Sequence, residues 1–153
     1  GAAALVLDDV DVAAAVRISL HTRGWLDVVE ADLPEGVVAR VDPRRLDVVL
    51  ANLVGNAVRH GGAPVSVRLT VPPGEVVISV ADRGPGLPPE VLARVFDRFY
   101  KADSARVRST GSGLGLAIAR ENARLHGGTL VAENRPDGGA VFTLRLPNPV
   151  GDR

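Results

Sequence analysis

Two glycine-rich segments enclose the part of the chain whose residues are best suited to chemistry. The first, Asp82-Arg83-Gly84-Pro85-Gly86-Leu87, follows an apolar run, and the second, Gly111-Ser112-Gly113-Leu114-Gly115-Leu116, precedes a run with helical periodicity. Glycine accepts positive φ angles and lets a ligand approach the backbone closely. A glycine-rich turn that leads into a helix also presents free N–H groups to an anion. The pattern predicts a lid over a bound ligand.

A polar stripe is expected on the helix that begins at Asp42-Pro43. Asn52, Asn56 and Arg59 share one face of that helix, and His60 lies at its edge. Amide oxygens suit a hard divalent cation, and arginine suits phosphate. A solvated helix face would show the same spacing, but asparagine is a mediocre helix former that a surface rarely needs. We therefore interpret the stripe as a magnesium and phosphate site.

Asp82 ends a run that is typical of a buried strand. Aspartate commonly opens a turn before Gly-Pro-Gly, and a carboxylate at the rim of a sheet can equally accept a hydrogen bond from a ligand. Both interpretations stay open. Two other nucleotide-binding classes are excluded, because neither glycine cluster carries a Walker lysine and the second does not directly follow a strand.

An aromatic cluster lies between the two glycine-rich segments. Phe96, Phe99 and Tyr100 form it, and Arg98 and Lys101 flank it, from where they could reach a terminal phosphate. A small core beneath the lid is an equally good interpretation of the aromatic residues.

The overall composition limits the class of protein. The formal net charge of the 153 residues is zero, so no sequence-wide field attracts nucleic acid, and no nucleic-acid partner is expected. The absence of cysteine excludes disulfides and cysteine-ligated metals. No apolar run approaches the ~18–20 residues that span a bilayer. The chain starts at Gly1 and contains no methionine, so we expect it to be a fragment of a longer protein.

Apolar periodicity and cap residues predict the secondary structure. A helix begins after Asp11, and residues 42–60 form a second helix with a wide apolar stripe. Residues 25–33 and 37–41 are predicted to pair as a hairpin. The other predicted elements are strands at residues 65–71, 76–81, 129–134 and 140–146, a short helix at residues 88–95, and a helix at residues 114–126 that His126 caps.

The order of these elements predicts an α+β fold. Strands and helices do not strictly alternate, which disfavours a doubly wound parallel sheet, and hairpins require antiparallel pairing. We expect a two-layer α/β sandwich, in which one mixed, mostly antiparallel sheet carries helices on one face. The residues before Val10 and after Pro147 are expected to fray.

Four motifs, taken in order, resemble those of the bacterial two-component sensor histidine kinases. The segments similar to the N box, the first glycine box, the F box and the second glycine box are Asn52-Leu53-Val54-Gly55-Asn56-Ala57-Val58-Arg59-His60, Asp82-Arg83-Gly84-Pro85-Gly86, Phe96-Asp97-Arg98-Phe99-Tyr100-Lys101 and Gly111-Ser112-Gly113-Leu114-Gly115-Leu116. The resemblance implies the catalytic ATP-binding domain of such a kinase, with the Bergerat-type ATP-binding fold of the GHKL superfamily. It implies a flexible lead-in at residues 1–9, the catalytic domain at 10–147 with an ATP lid at about 87–112, and a tail at 148–153.

The same resemblance implies a role for each motif residue. Asn56, assisted by Asn52, would bind Mg²⁺, and Arg59 would contact phosphate. His60 would pack near the nucleotide, and Asp82 would accept from the adenine amino group. The other implied ATP-binding residues are Gly84, Gly86, Leu87, Arg98, Lys101, Ser112, Gly113, Leu114, Gly115 and Leu116. The catalytic set would be Asn52, Asn56, Arg59 and Lys101, where Lys101 replaces a frequent arginine.

The implied function is transfer of the γ-phosphoryl group of Mg-ATP to a histidine on a separate dimerisation domain, in two-component signal transduction. The histidines at 21, 60 and 126 lack the sequence context of a phosphoacceptor, so the fragment is not expected to phosphorylate itself. The implied partners are the missing dimerisation helices and a response regulator. The full-length protein would be a membrane-bound homodimer with this domain, monomeric as a fragment, in the cytoplasm. A serine kinase of the anti-sigma type and a nucleotide- or partner-binding domain without catalysis are the alternatives.

Overall fold

The structure, a computed structural model, describes residues 4–98 and 114–149. Helices α1 (Val12–Thr22) and α2 (Pro43–His60) begin directly after the predicted aspartates, because Asp11 accepts the N–H of Ala14 at 3.0 Å and Asp42 accepts those of Arg44 and Arg45. The elements are, in order, β1 (Asp8–Asp11), α1 (Val12–Thr22), β2 (Val29–Asp32), β3 (Val38–Val41), α2 (Pro43–His60), β4 (Val65–Thr70), β5 (Glu75–Ala81), α3 (Pro89–Leu92), α4 (Gly115–Leu125), β6 (Thr129–Asn134) and β7 (Ala140–Pro147).

The main sheet has five strands in the order β2-β4-β5-β7-β6. Strands β2 and β4 are parallel, and the other neighbours are antiparallel. Helices α2 and α4 contact one face of this sheet, and α1 lies against α2. The predicted apolar stripe of α2 is buried there, namely Leu46, Val49, Leu50, Leu53, Val54 and Ala57. The α+β, mixed and mostly antiparallel two-layer arrangement is therefore confirmed.

The predicted pairing of residues 25–33 with residues 37–41 is wrong. Strand β3 pairs with β1 in a separate two-stranded sheet, and β2 runs parallel to β4. Residues 25–28 form a turn, in which the Trp25 carbonyl accepts from the N–H groups of Val28 and Val29. Strand β1 contains three aspartates, a residue depleted in strands. The sequence of β1 therefore gave no local indication of a strand, and its true partner β3 was assigned to residues 25–33 instead.

The structured part of the chain extends further at both ends than predicted. Part of the expected lead-in is hydrogen-bonded to the rest of the domain, since Asp8 and Asp9 belong to β1 and the Val6 N–H donates to Asp42 Oδ2 at 2.9 Å. Beyond Pro147, Asn148 is buried, and its backbone N–H donates to the Gly74 carbonyl at 2.9 Å. Both segments are held by long-range hydrogen bonds, which residue composition does not reveal.

Among the described residues, no helix combines the length and the apolar character that crossing a membrane requires.

Candidate functional site

The C-terminal end of α2 meets the end of β5 in direct backbone contact. The Arg83 N–H donates to the Gly62 carbonyl at 2.7 Å. A Cβ atom added to Gly61 would lie 2.6 Å from Asp82 Cγ, and one added to Gly62 would lie 2.7 Å from Gly84 Cα. Only glycine fits at these contacts. The fold therefore places the first glycine-rich segment against the end of the polar helix.

The N-terminal end of α4 packs against the same helix. A Cβ atom added to Gly115 would lie 2.7 Å from Asn52 Oδ1. Leu114, the N-cap residue, makes no side-chain hydrogen bond to the first N–H groups of α4. The polar helix, the first glycine-rich segment and the start of α4 are thus brought together.

Asp82 uses one carboxylate oxygen to hold the turn that follows it. The side chain is buried, and its Oδ1 accepts from the N–H of Gly84 at 2.9 Å and of Ala140 at 3.3 Å. No described residue donates to Oδ2. The two interpretations left open by the sequence are therefore compatible, because Oδ1 stabilises the turn while Oδ2 is available as an acceptor.

The turn between β6 and β7 supports Asp82 from behind. The Asp82 N–H donates to the Ala140 carbonyl at 3.0 Å, and Arg135 Nη1 donates to the Asp82 carbonyl at 3.2 Å. Gly139 lies directly against the Asp82 carbonyl, with no room for a Cβ atom. Sequence reasoning missed this support, because it considered the two strands and no contact of the turn that joins them. The adjacent Gly138-Gly139 pair, both with positive φ, was the available signal.

The two asparagines of the polar stripe differ in their partners. Asn52 donates from Nδ2 to the Val48 carbonyl at 3.0 Å and directs Oδ1 at Gly115. The half-buried Asn56 side chain makes no hydrogen bond to any described residue. The described residues contain no group of three His, Cys, Asp or Glu side chains that could hold a metal ion. Any cation here would take amide oxygens, with water or phosphate as its other ligands, which is a set that Mg²⁺ accepts.

Arg59 is folded back along α2. A Cβ atom added to Gly55 would lie 2.8 Å from Arg59 Nη1 and 3.2 Å from Trp25 Cη2, so the guanidinium and the indole both lie over this glycine. The rest of Arg59 is exposed, which leaves its side chain free to change rotamer. His60, the last residue of α2, is half-buried beside it.

The aromatic cluster packs partly against the core. The Phe96 ring meets Phe142 edge-to-face, with centroids 6.0 Å apart, and Arg120 Cζ of α4 lies 5.5 Å from the Phe96 centroid. This favours the core interpretation for Phe96, while Arg98 is exposed. Of the other predicted site residues, Leu87, Leu114 and Leu116 are half-buried, and Phe99, Tyr100, Lys101, Ser112 and Gly113, with most of the predicted lid, lie outside the described residues.

The family follows from a direct comparison. A family model described as histidine kinase-, DNA gyrase B-, and HSP90-like ATPase matches residues 41–150. The chain belongs to this family. The signal transduction histidine-protein kinase AfsQ2 of Streptomyces coelicolor is 62% identical over 147 residues, which cover 96% of this chain and 28% of AfsQ2. The chain therefore spans little more than a quarter of that relative.

Solved structures agree with this assignment. The ATP binding domain of PrrB from Mycobacterium tuberculosis is 33% identical with a TM-score of 0.74, over 94% of this chain and 98% of that one. Full-length ShkA in complex with AMPPNP is 29% identical with a TM-score of 0.75, over 95% of this chain and 32% of ShkA. The family and fold implied by the four motifs are confirmed.

Proposed function

We propose that this chain is a catalytic domain that binds Mg-ATP and donates the γ-phosphoryl group to a histidine on a dimerisation domain elsewhere in its protein. The observation that carries the proposal is the convergence of α2, the end of β5 and the start of α4 around Asp82, whose Oδ2 receives no hydrogen bond from a described residue. Because this oxygen belongs to a buried side chain, its open acceptor position favours a ligand that supplies a donor.

The adenine end of the ligand would lie at Asp82. Its Oδ2 would accept from the adenine amino group, and the closely packed glycines at 84 and 86 would give the base access to the backbone. Leu87 is half-buried and packs against the core, and it would provide an apolar contact to the base. His60 would lie near the nucleotide at the end of α2.

The phosphate end would lie between α2 and α4. Asn56 has an amide without a described partner, and Asn52 Oδ1 faces the start of α4, so these two residues would hold Mg²⁺. Bound Mg²⁺ would stabilise charge on the phosphates during in-line transfer. Arg59 would swing from Gly55 to contact phosphate, together with Arg98 and Lys101. Residues 112–116 would meet the phosphates through backbone N–H groups.

The partners would be those of a sensor kinase. AfsQ2 is named as a signal transduction histidine-protein kinase, and its match to this chain covers only 28% of its length. The protein that contains this chain would therefore supply the phosphoacceptor helices, form a membrane-bound homodimer, keep this domain in the cytoplasm and pass the phosphoryl group to a response regulator.

Thermal unfolding with and without Mg-ATP tests the binding step. At 100 times its dissociation constant, a ligand stabilises the native state by about 2.7 kcal/mol, which is a rise of several degrees for a domain of this size. We expect this rise with ATP and none with GTP, whose ring presents a carbonyl where adenine presents the amino group. Equal shifts with both nucleotides, or no shift, would contradict the adenine assignment.

Phosphotransfer distinguishes the proposed kinase from its alternatives. The protein's own dimerisation helices, incubated with this chain and labelled ATP, should acquire acid-labile phosphate. Acid-stable phosphate would indicate a serine kinase, and tight ATP binding without any transfer would indicate a binding domain.

A further inference from the structure

Asn134, the last residue of β6, pairs with the backbone of a residue 47 positions earlier. Its Oδ1 accepts the Leu87 N–H at 2.8 Å, and its Nδ2 donates to the Leu87 carbonyl at 2.8 Å. One side-chain amide thus satisfies both backbone groups of Leu87, as a neighbouring strand would do. Such a reciprocal pair fixes the position and the direction of the backbone at this point.

Gly86 leaves the space that this pair needs. Its φ angle is 80°, and a Cβ atom added there would lie 2.8 Å from Asn134 Oδ1 and 3.5 Å from the Gly139 carbonyl oxygen. A side chain at position 86 would therefore push Asn134 away from Leu87. The second glycine of this segment is required by contact with Asn134 as well as by its backbone conformation.

The segment from Asp82 to Leu87 is consequently held at both ends by one hairpin. Arg135 and Ala140 fix Asp82 at the start of the segment, and Asn134 fixes Leu87 at its end. Between them, Arg83 Nη1 donates to Asp137 Oδ2 of the β6–β7 turn at 3.3 Å, an exposed contact, while Pro85 is exposed. Releasing Leu87 would free the end of the segment while leaving Asp82 attached.

We propose that Asn134 is a positioning residue for nucleotide binding, which holds Leu87 so that the 82–87 segment has its binding geometry before the nucleotide arrives. This role rests on the proposed ATP-binding function. A protein whose binding-competent conformation is only partly populated has an apparent affinity lowered by that fraction. Loss of the pair should therefore weaken nucleotide affinity more than it lowers the stability of the fold, because both hydrogen bonds lie at the surface.

Three variants of the chain test this role by titration with Mg-ATP. Asn134→Ala removes both hydrogen bonds and should weaken ATP affinity about threefold to tenfold, as expected for bonds of this kind, with little change in the unfolding temperature. Hydrogen exchange at the Leu87 amide should become faster in the free protein. Glu133→Ala, an exposed change on the same strand, is the matched control and should bind ATP as the wild type does.

Asn134→Asp provides a pH-dependent check with an unchanged side-chain shape. At neutral pH the carboxylate still accepts from the Leu87 N–H but repels the Leu87 carbonyl, so ATP affinity should fall. The neutral carboxyl has one donor and one acceptor, so affinity relative to wild type should recover progressively as pH falls toward the ordinary aspartate pKa of ~3.9. The wild type, measured at each pH, corrects for titration of ATP itself.

The outcomes separate this role from the proposed function. If the wild type binds ATP and Asn134→Ala binds it equally well, the positioning role is overturned while ATP binding stands. Affinity loss in Asn134→Asp that does not change with pH would also overturn it. If the wild type itself binds no ATP, the proposed function fails, and this role fails with it.

Discussion

Gly61→Ala should reduce ATP binding through one steric contact. The backbone of Gly61 has φ −84° and ψ −174°, which any residue adopts, so alanine brings no backbone strain. Its Cβ would lie 2.6 Å from the Cβ and the Cγ of Asp82. Since carbon atoms prefer separations of ~3.5–4.0 Å, the Asp82 side chain must move by about 1 Å. That movement takes Oδ2 away from its proposed ligand position and lengthens the Oδ1 bonds.

The expected magnitude follows from these contacts. A hydrogen bond to a charged group contributes about 1.5–3 kcal/mol, so its loss should weaken ATP affinity by roughly 10- to 150-fold. Overpacking of a close contact lowers the free energy of unfolding by about 1–3 kcal/mol. Calorimetric titration with Mg-ATP and urea unfolding measure the two effects separately.

Gly24→Ala is the matched control for this variant. Gly24 has a φ angle of 74° and no atom within 4 Å of an added Cβ, so alanine there brings backbone strain without a contact. It should lower stability by about 1–2 kcal/mol and leave ATP affinity unchanged. Wild-type ATP affinity in Gly61→Ala would refute the reasoning, because the Asp82 carboxyl would then tolerate displacement.

Three further predictions concern other parts of the chain. Asn56→Ala should abolish the magnesium dependence of ATP affinity while the fold is retained, and unchanged dependence in parallel titrations would exclude Asn56 as a ligand. The pKa of Asp42 lies below its ordinary value of 3.8, mainly because it accepts the Val6 N–H. Ionised Asp42 therefore stabilises the fold fully above pH ~4, and this stabilisation is lost as pH falls through the lower pKa of the folded state. Asp42→Asn should reduce the loss of unfolding free energy at acid pH, measured by urea unfolding. Arg120→Ala should lower the free energy of unfolding by about 0.5–1 kcal/mol through loss of the contact with Phe96, and equal urea midpoints would argue against that contact.

Local signals predicted the helices well. Asp42 followed by proline identified the start of α2, and the apolar stripe that includes Leu50 identified its buried face. These features depend on residues only a few positions apart, so they can be recognised in the sequence itself. The motif at Asp82 was found for the same reason.

The features that were missed depend on contacts between distant residues. The pairing of β1 with β3 joins residues 30 or so positions apart, and Asn134 meets Leu87 across 47 positions. Asn134 itself ends a predicted strand just before a turn, where asparagine needs no special explanation. Only the folded arrangement shows that this strand-ending asparagine also holds the backbone of Leu87.

The close packing around Asp82 changes how its neighbouring glycines are understood. A Cβ atom at Gly61 would meet the carboxyl of Asp82, at Gly86 the amide of Asn134, and at Gly139 the carbonyl of Asp82. Each glycine therefore faces a protein group that orients the site, in addition to any ligand that approaches it. Substitution at these positions should disturb the site even before a nucleotide binds, so the conformation of the free protein, measured by hydrogen exchange at the 82–87 backbone, should change together with ATP affinity. If a variant lost ATP affinity while hydrogen exchange at the 82–87 backbone stayed unchanged, the new side chain would instead clash with the nucleotide itself.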